Sequence, residues 1–337
     1  QYKTLNATSD ISNTRTLLHE SIPLTGTIIS GTYSDNNIKN YTHGQFQSVF
    51  DYPFLSSSAN HIFDISMGYD EGSALSASTA TQNAKKINMY NQMSQVLLGF
   101  TGSTNAVRKF ELDLTLDNSG VMNECYFLNF SRLITKDQIK KGTFSITLGT
   151  SSYAAPFGLT KTFTDASASS TGGTLNTLGG DYGLLFSTDN VARGLVFYES
   201  GVVVLSTSSF NNVTDFHSAS AGASSIADRF VSSSISGACD SLRHRVQNIS
   251  FNNTTEINSS IYFCRVPSND FNHSSNPTYL NASTIRVKDV ASDPPISYIT
   301  TVGLYASDGE LMAVAKLSEP LRKDPTNELT LRVRLDY

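Results

Sequence analysis

Six histidines and several groups of carboxylates are the residues of this 337-residue chain that could carry out catalysis. No histidine lies at metal-ligand spacing from another, and no Gly-x-Ser-x-Gly nucleophile motif occurs. Asp64, Asp70 and Glu71, or Asp113 and Asp117, could form a glycosidase pair, but that chemistry depends on a separation that the sequence does not give. The chain has no Trp, the usual platform for stacking a sugar ring. The sequence therefore predicts no enzyme, no catalytic residue, no metal and no cofactor, with a hydrolase (a depolymerase) as a disfavoured alternative.

Two glycine pairs, Gly172-Gly173 and Gly179-Gly180, invite interpretation as a phosphate-binding loop. No Lys-Ser/Thr follows them, and their spacing fits neither the dinucleotide nor the nucleotide fingerprint. Residues 165–180 are otherwise small and polar, a composition that buries too little surface to offset the cost of ordering. We expect a mobile loop there.

The three cysteines are too few and too scattered for a disulfide framework or a zinc site. Cys125 and Cys264 lie in apolar, strand-like runs, where a thiol acts as a small hydrophobic group. A bridge between Cys239 and Cys264 stays open as an alternative. The pattern favours assembly in a reducing compartment.

Charge is sparse: 16% of residues are charged, the net charge is −5, and Ser, Thr and Asn fill the difference. Arg243, His244 and Arg245, beside Asp240, are too small a basic group to hold nucleic acid, so we interpret them as a solvated helix face. No stretch approaches the ~20 apolar residues of a membrane span. The sequence predicts neither a nucleic-acid nor a membrane partner.

The amino end lacks the charged and apolar blocks of a signal peptide and has no initiator Met, so we expect the numbering to start inside the gene product or after processing. About ten Asn-x-Ser/Thr triplets occur, which an Asn-, Ser- and Thr-rich chain also generates by chance. A secreted eukaryotic glycoprotein is kept as a distant alternative.

The periodicity predicts a mainly β protein with a few short helices (α+β), with antiparallel, β-sandwich-like sheets and an extended amino-terminal arm. Three segments are expected. Residues 1–60 form the arm and first strands. Residues 61–206 form a β-rich domain with a helix near 81–98, on whose exposed side Lys85 and Lys86 would lie. Residues 207–337 carry a helix and a carboxyl-terminal β-hairpin domain.

Further elements follow from local patterns. Alternating Phe110–Asp117 predicts a half-exposed strand, the capping-box spacing of Thr135 and Gln138 predicts a helix over Thr135–Lys141, and Ser225–Gln247 reads as one helix. Ser307-Asp308-Gly309 has the chemistry of a hairpin turn, and Glu328–Tyr337 alternates as a strand with one buried face.

Several phrases resemble structural proteins of tailed bacteriophages, above all the large contractile-tailed phages of marine cyanobacteria and their relatives. The phrases are GLVFYESGVVVLS, IYFCRVPSNDFNHSSNPTYL and PISYITTVGLYASDGELMAVAKLSEPLRKD, with a weaker echo in FQSVFDYPFLSSSANHIFDIS. The resemblance covers mainly residues 194–337 and carries over no catalytic residue.

The resemblance implies a structural subunit of the virion, in the tail, baseplate or neck, that is assembled in the bacterial host cytoplasm. Its partners would be other virion proteins and copies of itself in a symmetric ring. A receptor-binding or adhesin module on the virion surface is the alternative. Because aromatic anchors dominate protein interfaces, five residues are predicted to form an intersubunit contact: Tyr33, Phe46, Phe50, Tyr52 and Phe54.

Overall fold

The computed structural model describes residues 2–20, 29–30, 35–102, 106–213, 215–217, 225–274, 280–281, 284–285, 292 and 294–337. The chain forms two compact units. The terminal unit comprises Gln1–Leu17 and Glu256–Tyr337, and the central unit comprises Leu18–Thr255. This division differs from the three predicted segments, because strand pairing joins the first residues of the chain to its last eighty.

The described residues are 42% strand and 17% helix, which confirms the prediction of a mainly β protein. The strands are β1 Ile11–Glu20, β2 Ile29–Ser30, β3 Ile38–Asn40, β4 Gln47–Phe50, β5 His61–Tyr69, β6 Glu124–Phe130, β7 Gln138–Ile139, β8 Ser145–Gly149, β9 Thr160–Thr164, β10 Thr174–Thr177, β11 Gly180–Ser187, β12 Ala192–Phe197, β13 Val202–Ser206, β14 Val246–Ser250, β15 Asn253–Val266, β16 Leu280–Asn281, β17 Thr284–Ile285, β18 Ser297–Tyr305, β19 Leu311–Lys323 and β20 Leu329–Asp336. The helices are α1 Asn83–Leu97, α2 Arg132–Thr135, α3 Ile226–Ser232 and α4 Ile235–Arg243, with short 3-10 turns at Asp35–Asn37, Pro156–Gly158, Ala166–Ser169 and Thr207–Phe210.

The largest sheet belongs to the central unit and pairs its strands antiparallel. Its hydrogen-bonded order is β2-β14-β8-β9-β11-β12-β13-β6-β5-β4-β3, and β10 pairs with β11. Two of the predicted arm's strands, β3 and β4, form one end of this sheet, whereas residues 11–17 belong to the terminal unit. The described residues of that segment are therefore shared between the two units.

The central strands are apolar on both faces because two cores enclose them. In β13 every residue is buried, and Val203 and Leu205 join one apolar cluster while Val202 and Val204 join the other. Successive side chains of a strand point to opposite faces, so an unbroken VVVL run fits a strand covered on both sides.

The sheet curls until its inner face packs on itself. Strands β6 and β8 are five places apart in the order, which in a flat sheet would separate them by about 24 Å. Yet the rings of Phe130 in β6 and Phe144 beside β8 lie 6.0 Å apart between centroids, and Phe251 stacks on Phe144 at 5.9 Å. This packing gives the sandwich-like arrangement that the sequence predicts.

Helix α1 forms within two residues of its predicted bounds, and Lys85 is exposed as predicted, but the prediction that Lys86 is exposed is wrong. Lys86 is fully buried, and its ammonium donates to the carbonyl oxygen of Phe230. The helix backbone comes so close to β5 that a Cβ on Gly68 would lie 2.6 Å from the carbonyl oxygen of Lys86. Close contact with β5 encloses the first turns of the helix. The spacing of apolar residues along the helix does not reveal this contact.

Two local predictions before residue 142 are wrong. Residues 110–121 form a bent loop with an isolated bridge between Glu111 and Val121, not a strand. No helix forms over the predicted range Thr135–Lys141. The one-turn helix α2 ends at Thr135, and Lys136 takes a positive φ of 54° that turns the chain into β7. Thr135 and Gln138 have the residue types of a helix cap, but Gln138 and Ile139 pair with Thr254 and Asn253 as a strand instead.

Residues 165–180, predicted as a mobile loop, are held by specific hydrogen bonds. The buried carboxylate of Asp165 accepts the N–H groups of Gly142 and Phe144 at 2.8 Å each and the Tyr198 hydroxyl at 3.0 Å. Residues 174–177 form β10, and the N–H of Gly179 donates to the carbonyl oxygen of Leu97 at 2.9 Å. The prediction of a mobile loop was wrong because it considered only apolar burial, whereas hydrogen bonds of polar groups hold this segment in place.

The single helix predicted over Ser225–Gln247 is broken into α3 and α4. Ser225 and Asp228 form a capping box that begins α3, and the Ser234 hydroxyl accepts from the N–H of Gly237 to begin α4. A second serine N-cap in the middle of the run thus begins a separate helix.

The prediction that residues 243–245 form a solvated basic helix face is also wrong. Arg245 is completely buried, and its guanidinium donates to the carbonyl oxygens of Phe216, Gly149, Ser151 and Asp215 at 2.8–3.1 Å. This residue ties loops together within the core of the central unit and offers no surface charge.

The terminal unit is built on β1, β15 and β20, hydrogen-bonded in that order. β15 and β20 pair antiparallel from Ser259 opposite Asp336 to Val266 opposite Leu329. The alternation predicted for the last strand is confirmed, with Val333 buried and its neighbours Arg332 and Arg334 exposed. β18 and β19 form a separate hairpin around the predicted turn at residues 307–309.

Candidate assembly surfaces

Three of the predicted contact residues, Phe46, Phe50 and Phe54, lie at the β3–β4 end of the central sheet, in two ring clusters. Phe46 packs on Tyr41 at 4.9 Å and on His43 at 4.8 Å between ring centroids. Phe50 packs on His61 at 5.5 Å and on Phe54 at 6.4 Å.

Three of the five predicted contact residues, Phe46, Phe50 and Phe54, are half-buried. Tyr52 is 58% exposed, and the adjacent Leu55 is 86% exposed. Tyr33 lies outside the described residues. The packed rings of Phe50 and Phe54 are thus close in the sequence to two exposed apolar side chains.

The polar groups beside these rings do not form a hydrolytic triad. Asp64 accepts a hydrogen bond from Ser48 at 2.5 Å, and it lies 2.8 Å from Nε2 of His61. A serine nucleophile needs a histidine as its base, whereas here the carboxylate separates the two. The arrangement holds β4 against β5 and gives no support to the hydrolase alternative.

The other carboxylates considered as a glycosidase pair are arranged differently. Asp70 pairs with Lys109 at 2.8 Å and accepts the N–H of Gly72 at the same distance. Asp113 and Asp117 converge with Glu111 in the loop at residues 110–121. That cluster of three is a candidate cation site, and sequence reasoning missed Glu111 because it falls in what reads as an alternating strand.

The terminal unit has very little apolar core. Among its described residues, only two apolar side chains are buried, Val266 at 7% and Val333 at 8% exposure. Its other buried side chains are polar. Lys323, for example, is fully enclosed and donates to Ser268, Asn272 and the carbonyl oxygen of Asp324 at 2.6–3.1 Å. Burial of so little apolar surface contributes little free energy of folding.

The β18–β19 hairpin concentrates large exposed apolar side chains of the terminal unit. Five of them are 48–68% exposed: Tyr298, Tyr305, Leu311, Met312 and Val314. Apart from Ser297 and Lys323 at its base, no residue of the hairpin is buried. The face that carries Tyr305, Leu311 and Val314 is exposed, whereas residues of the other face, such as Val302 and Ala315, are half-buried. A two-stranded hairpin without further packing is marginally stable on its own.

Both long edges of this hairpin are open in the part of the chain that the structure describes, where β18 and β19 pair only with each other. Pro320 lies within β19. Proline is tolerated in a strand whose N–H side has no partner. The hairpin thus offers apolar side chains and free backbone groups together, as a strand-pairing interface does.

The sequence analysis predicted the position of this hairpin correctly, but it did not predict that the hairpin exposes apolar side chains. The signal was present, because YITTVGLY and LMAVAKL have apolar residues at successive positions on both faces. Such a pattern normally indicates a strand covered on both sides, whereas here the face with Tyr305, Leu311 and Val314 is exposed and the other face is only half-buried.

All three cysteines are free thiols, so the Cys239–Cys264 bridge left open by the sequence is not formed. Burial raises the pKa of the Cys125 thiol, which keeps it protonated and unreactive. None of the helices among the described residues has the length and apolarity to cross a bilayer.

Comparisons with protein-family models, curated proteins and solved structures found no match.

Proposed function

We propose that this chain is a structural subunit of a tailed-phage virion, in the tail, baseplate or neck, and that it acts by assembly rather than by turnover. The observation that carries the proposal is the terminal unit, which buries two apolar side chains among its described residues and exposes five large ones on a single hairpin. A unit built this way gains its missing burial from a partner.

One of the sequence phrases that resemble phage virion proteins lies in the same segment of the chain. The phrase PISYITTVGLYASDGELMAVAKLSEPLRKD spans residues 295–324, which include the whole β18–β19 hairpin. One of the phage-like phrases thus coincides with the hairpin that exposes these apolar side chains, whereas GLVFYESGVVVLS forms buried strands of the central unit.

The chemistry of the partner follows from the hairpin. Its open edges would pair with a strand of a neighbouring subunit, and its tyrosine, leucine, methionine and valine side chains would enter an apolar surface. In a virion the neighbours are further copies of this chain and other structural proteins, and the aromatic clusters near β4 would provide a second contact.

The test is mass photometry of the purified chain, alone and mixed with a phage lysate that lacks it. We expect a species that joins particles in the lysate and restores infectivity. The triple variant Tyr305→Ser, Leu311→Thr, Val314→Thr should lose most incorporation while its melting temperature changes by only about 1 °C, because these side chains are already exposed. Leu159→Thr, a central-unit variant at a side chain 66% exposed, is the matched control and should incorporate normally.

Two results contradict the proposal. Equal incorporation of the triple variant and the control would remove the hairpin from assembly. A stable trimer that binds intact host cells and ignores the particles would favour the adhesin alternative.

A further inference from the structure

The loop at residues 110–121 folds back on itself and brings three carboxylates together. Its ends are tied by the N–H of Met122 donating to the carbonyl oxygen of Phe110 at 2.7 Å. One carboxylate oxygen from each of Glu111, Asp113 and Asp117 lies within 4.8 Å of the other two. The loop is anchored in the core, since Phe110 and Met122 are both buried.

Each of these carboxylates uses one oxygen to shape the loop. Glu111 Oε1 accepts the N–H of Asn118 at 3.0 Å. Asp113 Oδ1 accepts the N–H of Thr115 at 3.0 Å and its hydroxyl at 2.8 Å. Asp117 Oδ1 accepts the N–H of Ser119 at 2.8 Å. One further oxygen on each residue remains for another ligand.

Glu111 is the residue that points to a ligand. Its side chain is only 2% exposed, and its Oε2 atom is buried with no hydrogen-bond partner in the described chain. A buried carboxylate oxygen without a partner is costly, and the two aspartates beside it add like charge. The cluster needs a positive group that no described side chain provides.

The nearest basic residues in the sequence are engaged elsewhere. The guanidinium of Arg108 donates to the carbonyl oxygen of Phe100 at 3.1 Å, and Lys109 pairs with Asp70. Within the described residues, none of the three carboxylates forms an ion pair.

We propose that this loop is a Ca²⁺ site, with Glu111, Asp113 and Asp117 as the charged ligands. The donor set consists of hard carboxylate oxygens, which Ca²⁺ and Mg²⁺ prefer over the nitrogen and sulfur ligands of zinc. Two ligands on opposite sides of a Ca²⁺ ion, each at about 2.4 Å, are about 4.8 Å apart, which the cluster spans without rearrangement. Mg²⁺ requires tighter octahedral geometry at about 2.1 Å. Water and main-chain carbonyl groups complete the coordination.

The site lies beside a built-in optical reporter. The Tyr182 hydroxyl donates to the carbonyl oxygen of Asp113 at 3.4 Å, and the protein has no Trp to obscure a tyrosine signal. Tb³⁺ replaces Ca²⁺ in oxygen-ligand sites and emits when a neighbouring tyrosine is excited. We therefore expect excitation at tyrosine wavelengths to produce Tb³⁺ emission that added Ca²⁺ suppresses and equal Mg²⁺ does not.

The experiment combines that titration with melting curves of the full chain in EDTA and in millimolar Ca²⁺. Wild type should melt about 4 °C or more higher in Ca²⁺, because a ligand that binds only the folded state stabilises it. Glu111→Gln and Asp117→Asn should each lose the Ca²⁺ shift and weaken Tb³⁺ emission at least tenfold. Glu111→Gln should melt no lower than wild type in EDTA, since it removes an unpaired buried charge.

Glu310→Gln, which removes an exposed carboxylate from the hairpin, is the control and should keep the full shift and the full emission. The proposal is overturned by a wild-type melting temperature that is the same in Ca²⁺ and EDTA. It is equally overturned by Tb³⁺ emission that survives unchanged in Glu111→Gln.

Discussion

At the scale of single residues, Lys86 shows how burial changes a titration. Its ammonium is fully enclosed, donates to the carbonyl oxygen of Phe230 and lies 5.8 Å from the Tyr69 ring centroid. Loss of hydration lowers the pKa of Lys86 to about 8. Near pH 7 both the folded and the unfolded state hold the proton, so the folded protein bears the cost of a buried charge.

That cost gives a pH dependence of definite sign. As pH rises through about 8, the folded state releases the proton while the unfolded state, with a pKa near 10.5, retains it. The free energy of unfolding should therefore rise with pH in this window, by about 1–2 kcal/mol between pH 7 and 9.5.

Urea denaturation of wild type and Lys86→Met at pH 7, 8, 9 and 9.5 measures this effect. The difference between the two proteins isolates the contribution of Lys86 to the free energy of unfolding. We expect wild type to gain stability relative to Lys86→Met as pH rises. A constant difference across the series would show that Lys86 is not desolvated as the structure indicates.

At the scale of elements, Gly68 decides how closely α1 packs on β5. A Cβ at this position would lie 2.6 Å from the carbonyl oxygen of Lys86 and 2.7 Å from the backbone nitrogen of Tyr90. Both atoms belong to the helix backbone, which cannot move aside as a flexible side chain can.

Gly68→Ala should therefore destabilise the protein by about 2–3 kcal/mol, because the helix must shift away from the strand. Gly102→Ala is the matched control, since a Cβ there has no atom within 4 Å and the substitution should change stability by less than about 0.5 kcal/mol. Thermal and urea unfolding followed by circular dichroism compare the two. Equal stabilities would mean that α1 does not approach β5 this closely.

At the scale of the whole molecule, the chain contains two compact units with very different cores. The central unit buries two apolar clusters on opposite faces of one sheet, whereas the described residues of the terminal unit bury two apolar side chains. Since apolar burial contributes most of the stability of a fold, the terminal unit should unfold at lower temperature.

Calorimetry of the full chain should resolve two transitions. Val333→Ala, in the terminal sheet, should lower only the first transition, with a loss of roughly 2 kcal/mol. Gly68→Ala should lower only the second. A single transition that both variants shift equally would show one cooperative unit, and the thin terminal core would then be no weakness.

The amino-acid sequence by itself determined the elements whose signal is local. The alternation of residues 328–337, the turn at 307–309 and helix α1 follow from periodicity and turn chemistry, and each lies where it was predicted.

Tertiary structure alone decided what long-range contacts control. Lys86 and Arg245 are buried because distant carbonyl groups receive them, and residues 165–180 are held by Asp165 and Leu97. Glu111 joins two aspartates because a strand-like run bends into a loop. The β18–β19 hairpin leaves the face with Tyr305, Leu311 and Val314 exposed, and within the described residues its strands pair only with each other. These outcomes depend on which segments meet in space, which one-dimensional patterns do not contain.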